Sequence, residues 1–142
     1  MTTKKIPLAL RRHVEEEAQY RCGYCLRTEE IMGMPMEIEH IVPEAADGET
    51  VLENLWLACR RCNQFKGTQT HARDPFTGRR ARLFNPRRQK WKRHFMWSAD
   101  ATEIIGKTAA GRATVIALKL NHPISVHARQ KWVLAGWWPP ED

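Results

Sequence analysis

The sequence predicts an α+β fold closed around a four-cysteine metal staple. Three observations predict it. Two C-x-x-C pairs, Cys22-Gly23-Tyr24-Cys25 and Cys59-Arg60-Arg61-Cys62, bracket the first half of the chain. Short strand-like stretches alternate with helical ones, with no internal repeat and no low-complexity tract. The 142 residues suit one domain, and no clear linker interrupts them. The expectation is therefore a single domain, 1–142. It would comprise an N-terminal helix (1–20), a cysteine-bearing core (21–67) and a basic segment with a C-terminal extension (68–142).

The elements follow in order. Thr3 to Tyr20 reads as a helix, with Pro7 in its first turn and Leu10, Val14 and Ala18 at helical spacing. Met36 to Ile41 reads as a strand, placing Met36, Ile38 and His40 on one side and Glu37, Glu39 and Ile41 on the other. Pro43 to Thr50 is a loop turning at Asp47-Gly48. Val51 to Ala58 is a short apolar return, either helical turn or strand. Arg60 to Lys66 reads as a short helix closed by Gly67. Thr68 to Arg93 reads as irregular, broken by Pro75, Gly78 and Pro86. A hairpin around Ala99-Asp100 follows, then helices over Ala109 to Leu120 and Ile124 to Ala135. Trp56, Trp91, Trp97 and Trp132 are assigned to the core, and Arg112 and Arg129 to helix surfaces.

Net charge is +7 and the pI is near 9.6. Twelve Lys and Arg residues fall between Arg60 and Arg93, with Asp74 the only acid among them. Such a stripe attracts polyanions. It suits a membrane surface poorly, since its breakers leave no clean amphipathic helix. The apolar run from Ile6 to Leu10 is too short for a signal peptide, and no stretch reaches the roughly 20 apolar residues a membrane span needs. A cytoplasmic location is expected, where thiols stay reduced. The cysteines then read as a closed four-sulfur site, with structural Zn²⁺ the best fit and no open position for chemistry. Disulfides, a redox motif or an iron–sulfur cluster are the alternatives.

Between the two knuckles lie Glu39-His40-Ile41-Val42-Pro43 and Glu53-Asn54-Leu55, and the second knuckle runs into Asn63 and Lys66. This order resembles the HNH endonuclease family, in its zinc-bearing form with Asn at the third motif position. The match spans Arg21 to Gly67. The tail is also similar to bacterial members of the family, in Leu83 to Arg87, Trp91, His94-Phe95, Trp97 and Gly111 to Thr114.

The resemblance implies a ββα-metal core around one divalent cation. His40 would be the general base, and Asn54 would orient it and the loop around it. Glu39 and Asn63 would ligate the cation, Mg²⁺ or Mn²⁺ by the hardness of their oxygen donors. The expected activity is hydrolysis of DNA, double-stranded by preference. A histidine near neutrality can take the proton of the attacking water. Because alternation sends Glu39 and His40 to opposite faces, the strand should end or bulge near His40. Arg60, Arg61 and Lys66 are candidate phosphate contacts. The competing reading is a non-catalytic zinc-stabilised module that binds nucleic acid, for which staple and charge alone would suffice.

Overall fold

The computed structural model describes residues 6–141. Two compact units make up the chain. Unit 1 runs to Thr70 and takes back Asn85–Arg88; unit 2 comprises His71–Phe84 and everything from Gln89. Among the described residues there are three two-stranded antiparallel sheets, one in unit 1 and two in unit 2.

Unit 1 opens with helix α1, Leu8–Glu17, entered through Pro7. The start expected at Thr3 lies outside the described residues. The helix stops short of Tyr20 because Gln19 and Tyr20 turn left-handed, at φ 56° and 55°. A one-turn helix α2, Glu29–Met32, was not expected. Thr28 caps it by accepting from the Ile31 amide at 3.2 Å, and Gly33 closes it at φ 68°. Strand β1, Glu37–His40, pairs antiparallel with β2, Leu55–Ala58, from Glu37 opposite Ala58 to His40 opposite Leu55. Val51–Ala58 divides into a 3-10 turn, Leu52–Asn54, and the strand. Helix α3, Arg60–Lys66, begins at Cys59 and ends at Gly67, as the spacing predicts. Val14, Leu55, Leu57 and Ala58 are fully buried beneath these elements. Each leucine contributes about 1.5–3 kcal/mol by leaving water.

Segment Asn85–Arg88 returns to unit 1, where Pro86 packs beside Gly23 and Arg87 makes the polar bonds. Arg87 makes a two-pronged bond to Glu17 at 2.9 and 3.0 Å and donates to the Leu55 carbonyl at 3.0 Å. Its guanidinium also lies 5.0 Å from the centre of the Trp56 ring.

Unit 2 holds β3 (His71–Arg73) paired with β4 (Arg80–Arg82), a one-turn α4 (Trp91–His94), and β5 (Phe95–Trp97) paired with β6 (Ile104–Gly106). Helices α5 (Ala109–Ala117) and α6 (Pro123–Ala135) complete it. The stretch read as irregular thus contains a hairpin. Its strands are three residues long and carry Arg and Ala where alternation of apolar residues would signal a strand. Pro75 and Gly78, taken as breakers, lie in its turn.

Aromatic rings close the core of unit 2. Phe84 meets Phe95 edge-on at 5.0 Å, and Trp91 stacks between Phe95 and Trp97 at 5.2 Å from each. Trp138 then packs against Trp97 and Trp132, both at 5.1 Å, while Trp137 stays 63% exposed. One surface assignment, Arg129, is corrected, and the other, Arg112, is part-exposed with a fixed partner. Arg129 is 1% exposed and donates to the carbonyls of Thr102 and Leu120 at 2.9 and 2.7 Å. Arg112 binds Asp74 with two parallel bonds of 2.8 and 3.0 Å. Helical periodicity places a residue on a face but does not say which neighbour covers that face.

Candidate active site and metal staple

The four cysteines converge. Their sulfur atoms all lie within 4.8 Å of one another, and all four residues are buried. Cys25 Sγ and Cys59 Sγ are 3.8 Å apart. That is far beyond a disulfide bond, about 2.05 Å. It matches the edge of a sulfur tetrahedron around an ion at about 2.3 Å, which is also about 3.8 Å. The knuckles are built to present sulfur: Cys62 N–H donates to Cys59 Sγ at 3.4 Å, and Tyr24 N–H to Cys22 Sγ at 3.5 Å. Arg27 Nε donates to Cys25 Sγ at 3.1 Å, offering positive charge to thiolates. Burial pushes the Cys22 thiol up. Cys25 is held low against the same burial by hydrogen bonds from the other three cysteines. The donor set fits a soft or borderline ion in a closed site. Gly23 is required in the first knuckle, because a Cβ there would collide with the Trp56 indole.

Strand β1 keeps its alternation to its end at His40. Glu37 and Glu39 both face α3, one helical turn apart in their partners. Asn63 Nδ2 donates to Glu37 Oε1 at 2.8 Å, and Lys66 Nζ meets Glu39 Oε1 at 2.8 Å. Glu39 and Lys66 are each 2% exposed. The Tyr24 hydroxyl, set inside the first knuckle, also donates to Glu39, at 2.9 and 2.6 Å from its two oxygens. Burial pushes the Glu39 carboxyl above its ordinary value, while Lys66 and Tyr24 pull in the other direction. Burial and the Glu39 charge hold the Tyr24 phenol well above its ordinary value, so it remains a donor.

Lys66 does more than neutralise Glu39. Its ammonium donates to the carbonyls of His40 and Ile41 at 3.3 and 2.9 Å. These bonds tie off β1 where the strand ends. The expectation that Lys66 is a phosphate contact is thereby corrected: its charge lies in the interior, with three oxygen partners. Arg60 is exposed at the start of α3, and Arg61 lies over the Phe65 ring at 5.0 Å.

His40 projects from the other face of β1, toward the loop that follows. Its Nε2 shares a hydrogen bond with Thr50 Oγ1 at 2.9 Å and lies 3.7 Å from Glu44 Oε1. Asn54 holds this loop closed. Its Oδ1 accepts from Val42 N–H at 2.8 Å, and its Nδ2 donates to the carbonyls of Val42 and Glu49, both at 2.9 Å. Gly48 lets the loop fold back, since a Cβ there would strike the Val42 carbonyl oxygen. His94, in unit 2, packs its ring 5.5 Å from Phe84 and bonds Thr108 at 2.6 Å.

The sequence-derived set is thus partly assembled. His40 and Asn54 share one loop. Glu39 and Asn63 both sit between β1 and α3, but they bond different partners. A divalent cation shared by Glu39 and Asn63 does not fit this arrangement, because the Lys66 ammonium already holds the Glu39 carboxylate. Thr50, Glu44 and Tyr24 belong to the site and carried no motif signal. Tyr24 lay between two cysteines that drew attention to themselves, and Thr50 is ten residues from the histidine it touches.

The comparisons with known proteins bear on the same stretch. The model of the HNH endonuclease family matches residues 22–69, about a third of the chain. No curated protein and no solved structure matches it. The matched stretch begins at the first cysteine, takes in β1, the His40 loop, β2 and α3, and holds all four cysteines. Residues 22–69 of this chain are similar to the HNH endonuclease family, and the four cysteines among them are placed to hold a metal ion.

Proposed function

We propose that the protein is a nuclease that hydrolyses phosphodiester bonds of DNA, with His40 as the general base and a structural Zn²⁺ on Cys22, Cys25, Cys59 and Cys62. The observation that carries the reading is the setting of His40. A carboxylate, Glu44, and a hydroxyl, Thr50, both face Nε2. This favours the tautomer with its proton on Nε2, which leaves the lone pair on Nδ1 to accept a proton from water. Asn54 serves the base at one remove, by fixing the loop that carries Thr50 and Glu44. Lys66 and Glu39 fix the end of β1, so the histidine backbone cannot drift.

A divalent cation, Mg²⁺ or Mn²⁺, belongs to this reading, with Asn63 and Glu37 the oxygen donors between β1 and α3 that Lys66 does not hold. Zinc supplies rigidity when bound, and its closed four-sulfur shell leaves it no place for water.

The test is cleavage of supercoiled plasmid by purified protein of verified zinc content, with Mg²⁺, Mn²⁺ or neither. Metal-dependent relaxed or linear product, lost in His40→Ala, is the expected outcome. Binding without cleavage under every metal would replace this reading with the zinc-stabilised binding module. Thr50→Val sharpens the assignment, since loss of the Nε2 partner should change the pH profile of cleavage while zinc content stays constant.

A further inference from the structure

The net charge of this protein resides in unit 2. Unit 1 carries eleven Lys and Arg against eleven Asp and Glu, whereas unit 2 carries twelve against five. The hairpin β3–β4 concentrates the excess. Its register sets His71 opposite Arg82, Ala72 opposite Ala81 and Arg73 opposite Arg80. Alternation then puts the two alanines on one face and the four basic residues on the other. Helix α5 packs on the hairpin, and the small alanines permit its close approach. Arg80 and Arg82 lie near enough to His71 to help burial push its imidazole below the ordinary value. Among the described residues no ion pair joins Arg73, Arg80 or Arg82 to an acid. Like charges placed directly opposite one another destabilise a ribbon; Arg73 donates to the Gly78 carbonyl of the turn at 3.0 Å, but among the described residues no bond within the fold is shown for the guanidinium of Arg80 or Arg82.

The tip of the hairpin is the second observation. Asp74 is fully buried and organises the turn. It accepts from Phe76 N–H at 3.0 Å and Thr77 Oγ1 at 2.9 Å, while Arg112 grips both its oxygens. Gly78 N–H and Arg79 C=O close the turn onto the Asp74 backbone, both at 2.8 Å. This stiff turn holds Phe76 at 82% exposure. One face of the ring meets the Arg112 guanidinium, 5.1 Å from the ring centre, and the rest is left to water.

We infer that the β3–β4 hairpin is the element that grips duplex DNA, its arginine face on the backbone phosphates and Phe76 in apolar contact with base edges. The identity of the polyanion as DNA rests on the nuclease reading above. A two-stranded ribbon fits the major groove, which is about 12 Å wide, and the thymine methyl offers an apolar surface there. Phosphates turn the repulsion between Arg73, Arg80 and Arg82 into attraction.

Fluorescence anisotropy of a labelled short duplex, titrated with full-length His40→Ala protein at several salt concentrations without added divalent metal, tests this. The double variant Arg80→Ala/Arg82→Ala should lower the slope of log Kd against log salt by about 2. Arg80→Lys/Arg82→Lys should restore most of it. Phe76→Ala should weaken binding about 5- to 20-fold with the slope unchanged. An RNA duplex of the same sequence should bind more weakly, because the A-form major groove excludes a ribbon. Zinc content and thermal melting confirm that each variant is folded. An unchanged slope in the alanine double variant, an unchanged Kd in Phe76→Ala, or equal affinity for the RNA duplex would overturn the proposal. The two readings fail separately. Plasmid cleavage by the wild type with full DNA affinity in Arg80→Ala/Arg82→Ala removes the hairpin's role and keeps the nuclease. No cleavage by the wild type, with affinity lost in that variant, does the reverse.

Discussion

Unit 1 is closed around four sulfur atoms and a buried ion pair, whereas unit 2 is closed around a chain of aromatic rings. The first carries balanced charge and the stretch that matches the HNH family model; the second carries the whole excess of positive charge. Small units have little interior, so each needs something beyond aliphatic burial. Unit 1 uses directional bonds to fixed partners, which suits a site where one imidazole must hold one orientation. Unit 2 uses ring area, which tolerates a charged and repulsive outer surface. On the function proposed above, the difference separates two tasks, holding a reactive group and attracting a polyanion.

The comparison breaks most visibly on removal of the metal. Structural zinc sites contribute about 10–16 kcal/mol of apparent binding energy to folding. Chelation, or Cys62→Ser, should unfold unit 1 and leave unit 2 intact. Near-UV circular dichroism reads this, because Trp91, Trp97, Trp132 and Trp138 lie in unit 2 and Trp56 in unit 1. Loss of the whole aromatic signal would mean that the units fold as one.

Lys66→Met ranks next. It leaves the Glu39 carboxylate buried without its cation and frees two carbonyls. The expected loss is about 3–5 kcal/mol, read by urea unfolding. A loss under about 1 kcal/mol would show that the pair is dispensable. Asn54→Ala removes three bonds from a partly exposed loop. It should cost about 1–2 kcal/mol in stability, but cleavage should fall further than stability, since the loop carries the partners of His40. Equal falls would reduce Asn54 to a structural role.

The smallest effect is confined to acid and belongs to unit 2. Bonds from Arg112, then from Phe76 N–H and Thr77, hold the Asp74 carboxyl well below the usual carboxylate range. Its stabilising contribution is therefore present above the ordinary value of 3.8 and disappears as pH falls below it toward the lowered one. Asp74→Asn should flatten the loss of unit 2 stability below about pH 4, measured by thermal melting across acid pH. A wild-type profile in that variant would show that Asp74 does not set the acid limit.

Much of the local architecture was legible in the chain. The spacing of the cysteines fixes two sulfur-presenting turns. Gly67 and Gly136 mark helix ends because the left-handed region suits them, at φ 53° and 80°. Strand phase set Glu37 and Glu39 on one face, and the strand does end at His40. These are short-range properties, decided by backbone preference and side-chain period within a few residues.

What the sequence left open was decided by packing. The same period that put Glu39 on a face could not tell that α3 covers it, or that Lys66 turns inward to meet it. Nor could charge along the chain show that Lys66 and Arg87 are occupied inside unit 1 while Arg73, Arg80 and Arg82 line one ribbon in unit 2. A hairpin of arginines and alanines has no apolar alternation to announce it. The physical reason is common to all of these. Burial, and hence the worth of a charge or a hydrogen bond, depends on what lies across from a residue. In this protein those partners are up to 70 positions away in the chain.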